Sequence, residues 1–394
     1  MVSVATGLRV FIVERLLARN PLSRALFDRE ADRLARACEA MAERFLRGGR
    51  LLAFGTGAAA TDAQRVAVEF VHPVIVGKRA LPALDLSAAV QPWVAALARD
   101  ADVAMGFGLG GDAGAVSTAL AAASARGAYT FSLPGAFGDF TLEPPSTDPF
   151  IAQELIEVLY HTLWETVHVF LEHREHGHDD VGASAFLYPF LGEARPDTSE
   201  IIGQVAASIR TKAAEDERLR AELARDALEP IASAIAAVLR HVDTGATLFM
   251  FGNGGSATDA NDWALDCIGA GGGTPVPAVS LAMEPAVLSA IANDIGRDAM
   301  FVRELIAHGR RGDVAIAIST SGGSANVIAA LEEARQREML TIALLGDDGG
   351  EVVRRGLADL PIVVRCDDIP RIQEAQASIY HVMTEAWRRR RAWA

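Results

Sequence analysis

The chain repeats itself, and the repeat restricts the fold more than any other feature. Gly55-Thr56-Gly57, followed by Thr61-Asp62-Ala63, returns 197 residues later as Gly252-Asn253-Gly254 followed by Thr258-Asp259-Ala260. Asp102-Val103-Ala104 returns as Asp313-Val314-Ala315, and Gln153-Glu154 with Tyr160-His161 returns as Gln373-Glu374 with Tyr380-His381. The order is kept while the offset grows to 211 and then 220, so the second copy carries modest insertions. Solenoid repeats have periods of about 20–50 residues, so this is the duplication of a whole domain. In a chain of 394 residues, the expected division is 1–178, a linker over 179–198, and 199–394.

Each copy alternates short apolar runs with helical stretches. In the second copy the runs are Thr247–Phe251, Val276–Leu281, Val314–Ile318, Thr341–Leu345 and Pro361–Arg365. In the first they are Leu51–Phe54, Ala80–Leu86, Val103–Phe107 and Ala128–Leu133. Helical regions open the copies at Ser23–Leu46 and Glu200–Val242, and close them at Phe150–His173 and Arg371–Trp393. Such alternation predicts an α/β fold with a parallel sheet flanked by helices on both faces.

Composition removes several functional classes. Half of the residues are apolar and 22% are charged, as in an ordinary globular chain. The net charge of −14 argues against a nucleic-acid groove, which needs concentrated positive charge. A small anion remains possible, because backbone N–H groups and hydroxyls hold one without net charge. Only Lys78 and Lys212 are lysines, and no phosphate-loop lysine motif is present, so a Walker-type nucleotidase is not expected. Three scattered cysteines, no membrane-length apolar run and no signal-peptide pattern in the first twenty residues predict a cytoplasmic chain with no membrane partner.

Two loops in the second copy carry the chemistry. Gly252-Asn253-Gly254-Gly255-Ser256 follows a strand and precedes a helix. Glycines let backbone approach a ligand, and a helix N-terminus favours an anion. Ser319-Thr320-Ser321-Gly322-Gly323-Ser324 follows the third strand and places four hydroxyls before the next helix. A helix cap needs one hydroxyl, not four. Together the loops fit a phosphate monoester. A dinucleotide is not expected, because the third glycine of that fingerprint is missing and no clean ribose-binding acid follows a second strand.

At this point the second copy resembles the sugar isomerase (SIS) domain family, and within it the bacterial phosphoheptose isomerases. The resemblance rests on the two loops, on Ala292-Asn293-Asp294, on Gly312-Asp313-Val314 and on Arg371-Ile372-Gln373-Glu374. It implies two tandem SIS domains, with the phosphate held by Ser256, Ser319, Thr320, Ser321 and Ser324, and the sugar lined by Asn253, Asp294 and Gln373. It also implies an aldose–ketose isomerase, an intramolecular oxidoreductase working through an enediol. The implied reaction is sedoheptulose 7-phosphate to glycero-manno-heptose 7-phosphate.

The family's acid–base Glu and His fall on Asp266 and His381. Some members bind zinc with these two positions, a further His and a Gln, which here are Asp262 and Gln373. The resemblance therefore implies a divalent-metal site at Asp262, Asp266, Gln373 and His381, with no nucleotide cofactor. Asp262 and Asp266 are four apart and share a helix face. A plain exposed helix face for the aspartates, and a buried structural role for His381, are the alternatives. Family members are tetramers, which implies a homodimer presenting four domains.

The first copy resembles a degenerate SIS domain. Its loops read Gly55-Thr56-Gly57-Ala58-Ala59-Ala60 and Gly108-Leu109-Gly110-Gly111-Asp112-Ala113, so the hydroxyls of the second loop are gone and an acid stands there. Glu69, Gln153 and His161 nonetheless occupy the family's Glu, Gln and His positions, and Arg65 replaces the first-helix His. This copy is expected to serve as an interaction partner, with a shared site using Glu69 or His161 as the sharper alternative. The rival to an enzyme is a non-catalytic SIS protein that binds a sugar phosphate or a protein partner as sensor or scaffold.

Overall fold

The duplication builds the same sheet twice. The computed structural model describes residues 4–73, 78–109, 111–175, 198–269 and 274–389. The first copy contains β1 (Leu51–Gly55), α2 (Ala60–Val71), β2 (Ala83–Asp85), α3 (Val90–Leu97), β3 (Val103–Phe107), α4 (Ala113–Ser124), β4 (Tyr129–Leu133), β5 (Phe140–Thr141) and α5 (Pro149–Glu175). It is preceded by α1 (Val4–Leu46). The second copy runs through α6 (Thr198–Asp226), α7 (Leu228–Val242), β6 (Leu248–Phe251), α8 (Gly255–Ile268), β7 (Ala278–Ser280) and α9 (Pro285–Asp294). It continues with α10 (Met300–His308), β8 (Val314–Ser319), α11 (Ala325–Gln336), β9 (Leu340–Gly346), α12 (Gly350–Arg354), β10 (Leu360–Val364) and α13 (Ile369–Arg388).

The strand orders are β2-β1-β3-β4-β5 and β10-β9-β8-β6-β7, which are the same order read from opposite edges. Every pairing is parallel. Every residue of β6 and β8 is buried, which explains why these strands read as continuous apolar runs rather than as alternation. In each sheet the order reverses between the first and third strands of the copy. The crevice beyond their carboxyl ends is where ligands bind in such folds.

The compact units do not follow the boundary expected from sequence. One unit joins residues 1–20 to 216–394, and the other spans 21–215. We call them the C-terminal and N-terminal units. The expected linker at 179–198 lies outside the described residues except for Thr198, and Pro21 inside α1 marks the division at the other end. Residues 4–20 of α1 therefore serve the C-terminal unit: Ile12 and Leu16 lie in its core with Ile231, Ile235 and Trp387. Burial of each contributes about 2 kcal/mol. Arg15 pairs with Glu385 there at 2.8 Å. In the N-terminal unit the start of α6 plays the matching part, with Lys212 paired to Glu165. The expected helix Glu200–Val242 breaks at Ala227 into α6 and α7. No helix among the described residues is long and apolar enough to cross a membrane.

Candidate active site

The two loops of the C-terminal unit lie at the carboxyl ends of β6 and β8, on either side of the sheet's reversal point. Gly254 adopts a φ of +55°, which favours glycine, and starts α8 with no side-chain cap. At Gly255 a side chain would collide with the Gln373 amide. Ser256 and Ser319 are buried, Thr320 and Ser324 are half-buried, and Ser321 is exposed. Ser319 Oγ accepts from Gly322 N at 3.1 Å, which curls the loop back on itself. Ser324 is the N-cap residue of α11 but makes no side-chain cap bond. The Val327 N–H is taken by the Asn326 side chain at 3.0 Å, which leaves the N–H groups of Ala325 and Asn326 for an anion.

The amide of Asn253 pairs with that of Asn326 in the first turn of α11, so both loops are tied together. Asp294 ends the exposed helix α9, where it accepts from Asn293 at 2.7 Å. Among the described residues no hydrogen bond or ion pair links Asp294 to the loops.

The second part of the site lies farther along α8 and α13. Asp262 and Asp266 are 3% and 2% exposed, so they are not a solvated helix face. His381 Nε2 lies 3.3 Å from Asp266 Oδ2 and 3.7 Å from Asp262 Oδ2. One ligand atom from each of the three residues falls within 4.8 Å of the others. Tyr380 donates its hydroxyl to Asp262 Oδ2 at 2.9 Å and stacks on Trp263 at 5.3 Å. Trp263 in turn donates to Thr384 at 2.9 Å and stacks on Trp387, which holds the two helices in register.

Burial, reinforced by the neighbouring Asp262 charge and opposed by His381, pushes the Asp266 carboxyl up to about 6. Its Oδ2 has no hydrogen-bond partner. Gln373 stands two helical turns before His381, with its amide against Gly255 at the loop end. Burial also pushes the neighbouring Cys267 thiol far up, so that residue is packing rather than a nucleophile. Sequence reasoning gives no role to Asn326 or Tyr380. Only the amide directly after the hydroxyl loop, and the Tyr before the His in both copies, hint at them.

The N-terminal unit fills the same positions from its own chain. Asp112 caps α4 by accepting from Ala115 N at 3.0 Å, so a carboxylate stands at the start of that helix. Its backbone N–H donates to Thr56 Oγ1 at 2.6 Å. Arg65, at the position of Asp262, pairs with Glu157, both 3% exposed. His161 Nε2 meets Glu69 Oε1 at 2.8 Å. Tyr160 donates to Asp62 at 3.3 Å, one turn before Arg65.

Comparison with known proteins agrees with this fold. The SIS domain pattern matches residues 18–135 and 213–346. The phosphoheptose isomerase of Citrifermentans bemidjiense is 42% identical over 157 residues, which are 39% of this chain and 81% of the relative. That of Geobacter sulfurreducens is 44% identical over 143 residues, covering 36% of this chain and 75% of the relative. The solved C-terminal domain of glucosamine-fructose-6-phosphate aminotransferase from Francisella tularensis superposes with a TM-score of 0.59 at 12% identity. That match covers 95% of this chain and 93% of that one, and it shows the shared two-sheet fold. With more than half of its length matched by the family pattern, the chain belongs to the SIS domain family.

Proposed function

We propose that the chain is a phosphosugar aldose–ketose isomerase whose working site lies in the C-terminal unit. The observation that carries this reading is the buried Asp262–Asp266–His381 triad, whose two aspartates stand on α8, the helix that opens at the glycine loop, and whose histidine stands on α13. From Ser256, Asp262 and Asp266 lie about 9 and 15 Å along the helix at 1.5 Å per residue. Ser256, Ser319, Thr320, Ser321 and Ser324 take the phosphate, and Asn253, Gln373 and Asp294 are the proposed sugar contacts. The relatives named phosphoheptose isomerase support sedoheptulose 7-phosphate as substrate and a heptose 7-phosphate as product.

In this reading Asp266 removes the proton from the carbon beside the carbonyl. His381 gives its proton to the carbonyl oxygen, forming the enediol. Asp266 then returns the carbon proton to the neighbouring carbon, while His381 recovers one from the adjacent hydroxyl. A carboxyl pushed up to about 6 is a base poised near neutral pH.

The residues also fit a divalent metal such as zinc. The donor set is two carboxylates and an imidazole within 4.8 Å, and the buried Asp266 Oδ2 lacks a hydrogen-bond partner. Asp262, Asp266 and His381 would hold the ion, with Gln373 the fourth ligand that the family resemblance adds. A bound ion would polarise the sugar carbonyl. A homodimer presenting four domains is the proposed assembly.

The second reading is a binding protein without turnover, favoured by the near-complete burial of the triad. The test is conversion of sedoheptulose 7-phosphate by wild type and Asp266→Asn, with and without zinc. Turnover lost in the variant by about a hundredfold or more supports the isomerase. Thermal stabilisation by the phosphosugar without turnover supports the binding protein.

A further inference from the structure

The two loops of the C-terminal unit leave different strands, and 73 residues separate Asn253 from Asn326. Their side chains nonetheless form a reciprocal amide pair. Asn253 Nδ2 donates to Asn326 Oδ1 at 2.9 Å, and Asn326 Nδ2 donates to Asn253 Oδ1 at 2.8 Å. Asn326 Oδ1 also accepts from Val327 N at 3.0 Å. That third bond fixes which way the amide faces, because only a carbonyl oxygen can accept from a backbone N–H. The Asn326 oxygen therefore serves two donors, and its side chain, 8% exposed, acts through its neighbours rather than on a ligand.

The N-terminal unit ties its loops at the same place with different chemistry. Thr56 stands at the Asn253 position and accepts from the backbone N–H of Asp112. That tie delivers the Asp112 carboxylate to the start of its helix. The Asn253–Asn326 tie delivers no charge to the start of α11: Ser324 makes no cap bond there, and the Val327 N–H is met by the neutral Asn326 amide.

We propose that Asn326 is a positioning residue that fixes the separation of the two loops and so sets the affinity of the C-terminal unit for a phosphate monoester. This rests on the reading of the loops as an anion site. A ligand held from two loops binds tightly only if both are ordered before it arrives, and the amide pair supplies that order. Asn326→Leu removes both cross-loop bonds. Asn326→Asp keeps the acceptor for Asn253 Nδ2 and Val327 N but cannot donate back.

The test uses the intact chain, with inorganic phosphate as probe. Phosphate affinity is measured by calorimetry, and backbone amide hydrogen exchange is followed over 252–257 and 319–327 without ligand. For N326L we expect phosphate binding weakened about tenfold or more, the scale of one to two lost hydrogen bonds. Exchange should be faster in both loops together, with N326D intermediate. Unchanged affinity, with faster exchange confined to the start of α11, overturns the proposal and leaves Asn326 a local helix cap. A wild-type chain that binds no phosphate removes the anion reading and the affinity half of the proposal. The exchange data then judge the tie alone: loosening of both loops upholds it, and loosening of one refutes it. Should N326L fail to fold, N326D makes the same comparison with one bond retained.

Discussion

The two units share a sheet order and a set of equivalent positions, yet they hold opposite electrical states at those positions. In the N-terminal unit the chain answers its own charges. Asp112 occupies the helix start, Arg65 pairs with Glu157, and Glu69 pairs with His161. In the C-terminal unit the helix start carries no charged cap, and two buried carboxylates face one imidazole. The contrast teaches that one fold can be closed or left open to a ligand by a few residues at fixed places. Arg65 stands where the other unit has Asp262, and Asp112 stands in a loop that elsewhere carries four hydroxyls. The hydroxyl loop and the triad belong to the same unit, so the features that suit a phosphosugar are not divided between the copies.

The largest effect expected is on the closed unit. Arg65→Met leaves Glu157 buried without its cation, which should destabilise the N-terminal unit by about 3–5 kcal/mol. Urea unfolding followed by circular dichroism reads this, and adding Glu157→Leu should restore most of the loss. Arg65→Met without measurable cost would break the view that this unit is held by internal charge pairing.

The next effect has the opposite sign and lies in the open unit. Asp266 is raised from 3.8 to about 6, so its protonated form is the one the fold prefers. Stability from this group is full below about pH 4, where the folded and unfolded forms are both protonated. It falls as pH rises through about 6. Asp266→Asn should therefore stabilise the metal-free chain above pH 7 by about 3 kcal/mol, and the gain should vanish near pH 4. Thermal melts across that range in the presence of a chelator check it. A gain independent of pH would mean that the Asp266 charge is not what destabilises the site.

The smallest effect sharpens the comparison of the loops. Asp112→Ala removes one N-cap and should cost about 1 kcal/mol. It should create no phosphate binding in the N-terminal unit, since the loop there carries no hydroxyls. New phosphate binding in that variant would show that the carboxylate alone closes the first copy.

Much of this was legible in the sequence because its cause is local. Fully buried strands such as Val314–Ser319 announce themselves as apolar runs ending in glycine and serine. The two loops are contiguous motifs. The helices that cross from one copy to the other were not legible, because residues 4–20 are placed by contacts with Ile231 and Glu385, far away in sequence. Pro21 also reads as a helix stop, yet α1 continues through it. The two-residue β5 is too short to leave a pattern. At the site, the Asp262–Asp266 spacing gave a shared face but not its burial. The Tyr380 bond to Asp262 joins residues 118 apart, which no local pattern carries.

The central claim is that chemistry lives in the open unit and structure in the closed one. It is tested most directly by sedoheptulose 7-phosphate turnover in Asp266→Asn and in Glu69→Gln, the two variants at equivalent positions. The account predicts that Asp266→Asn loses about a hundredfold or more in kcat while Glu69→Gln keeps the wild-type rate. Equal loss in both, or loss in Glu69→Gln alone, would contradict it.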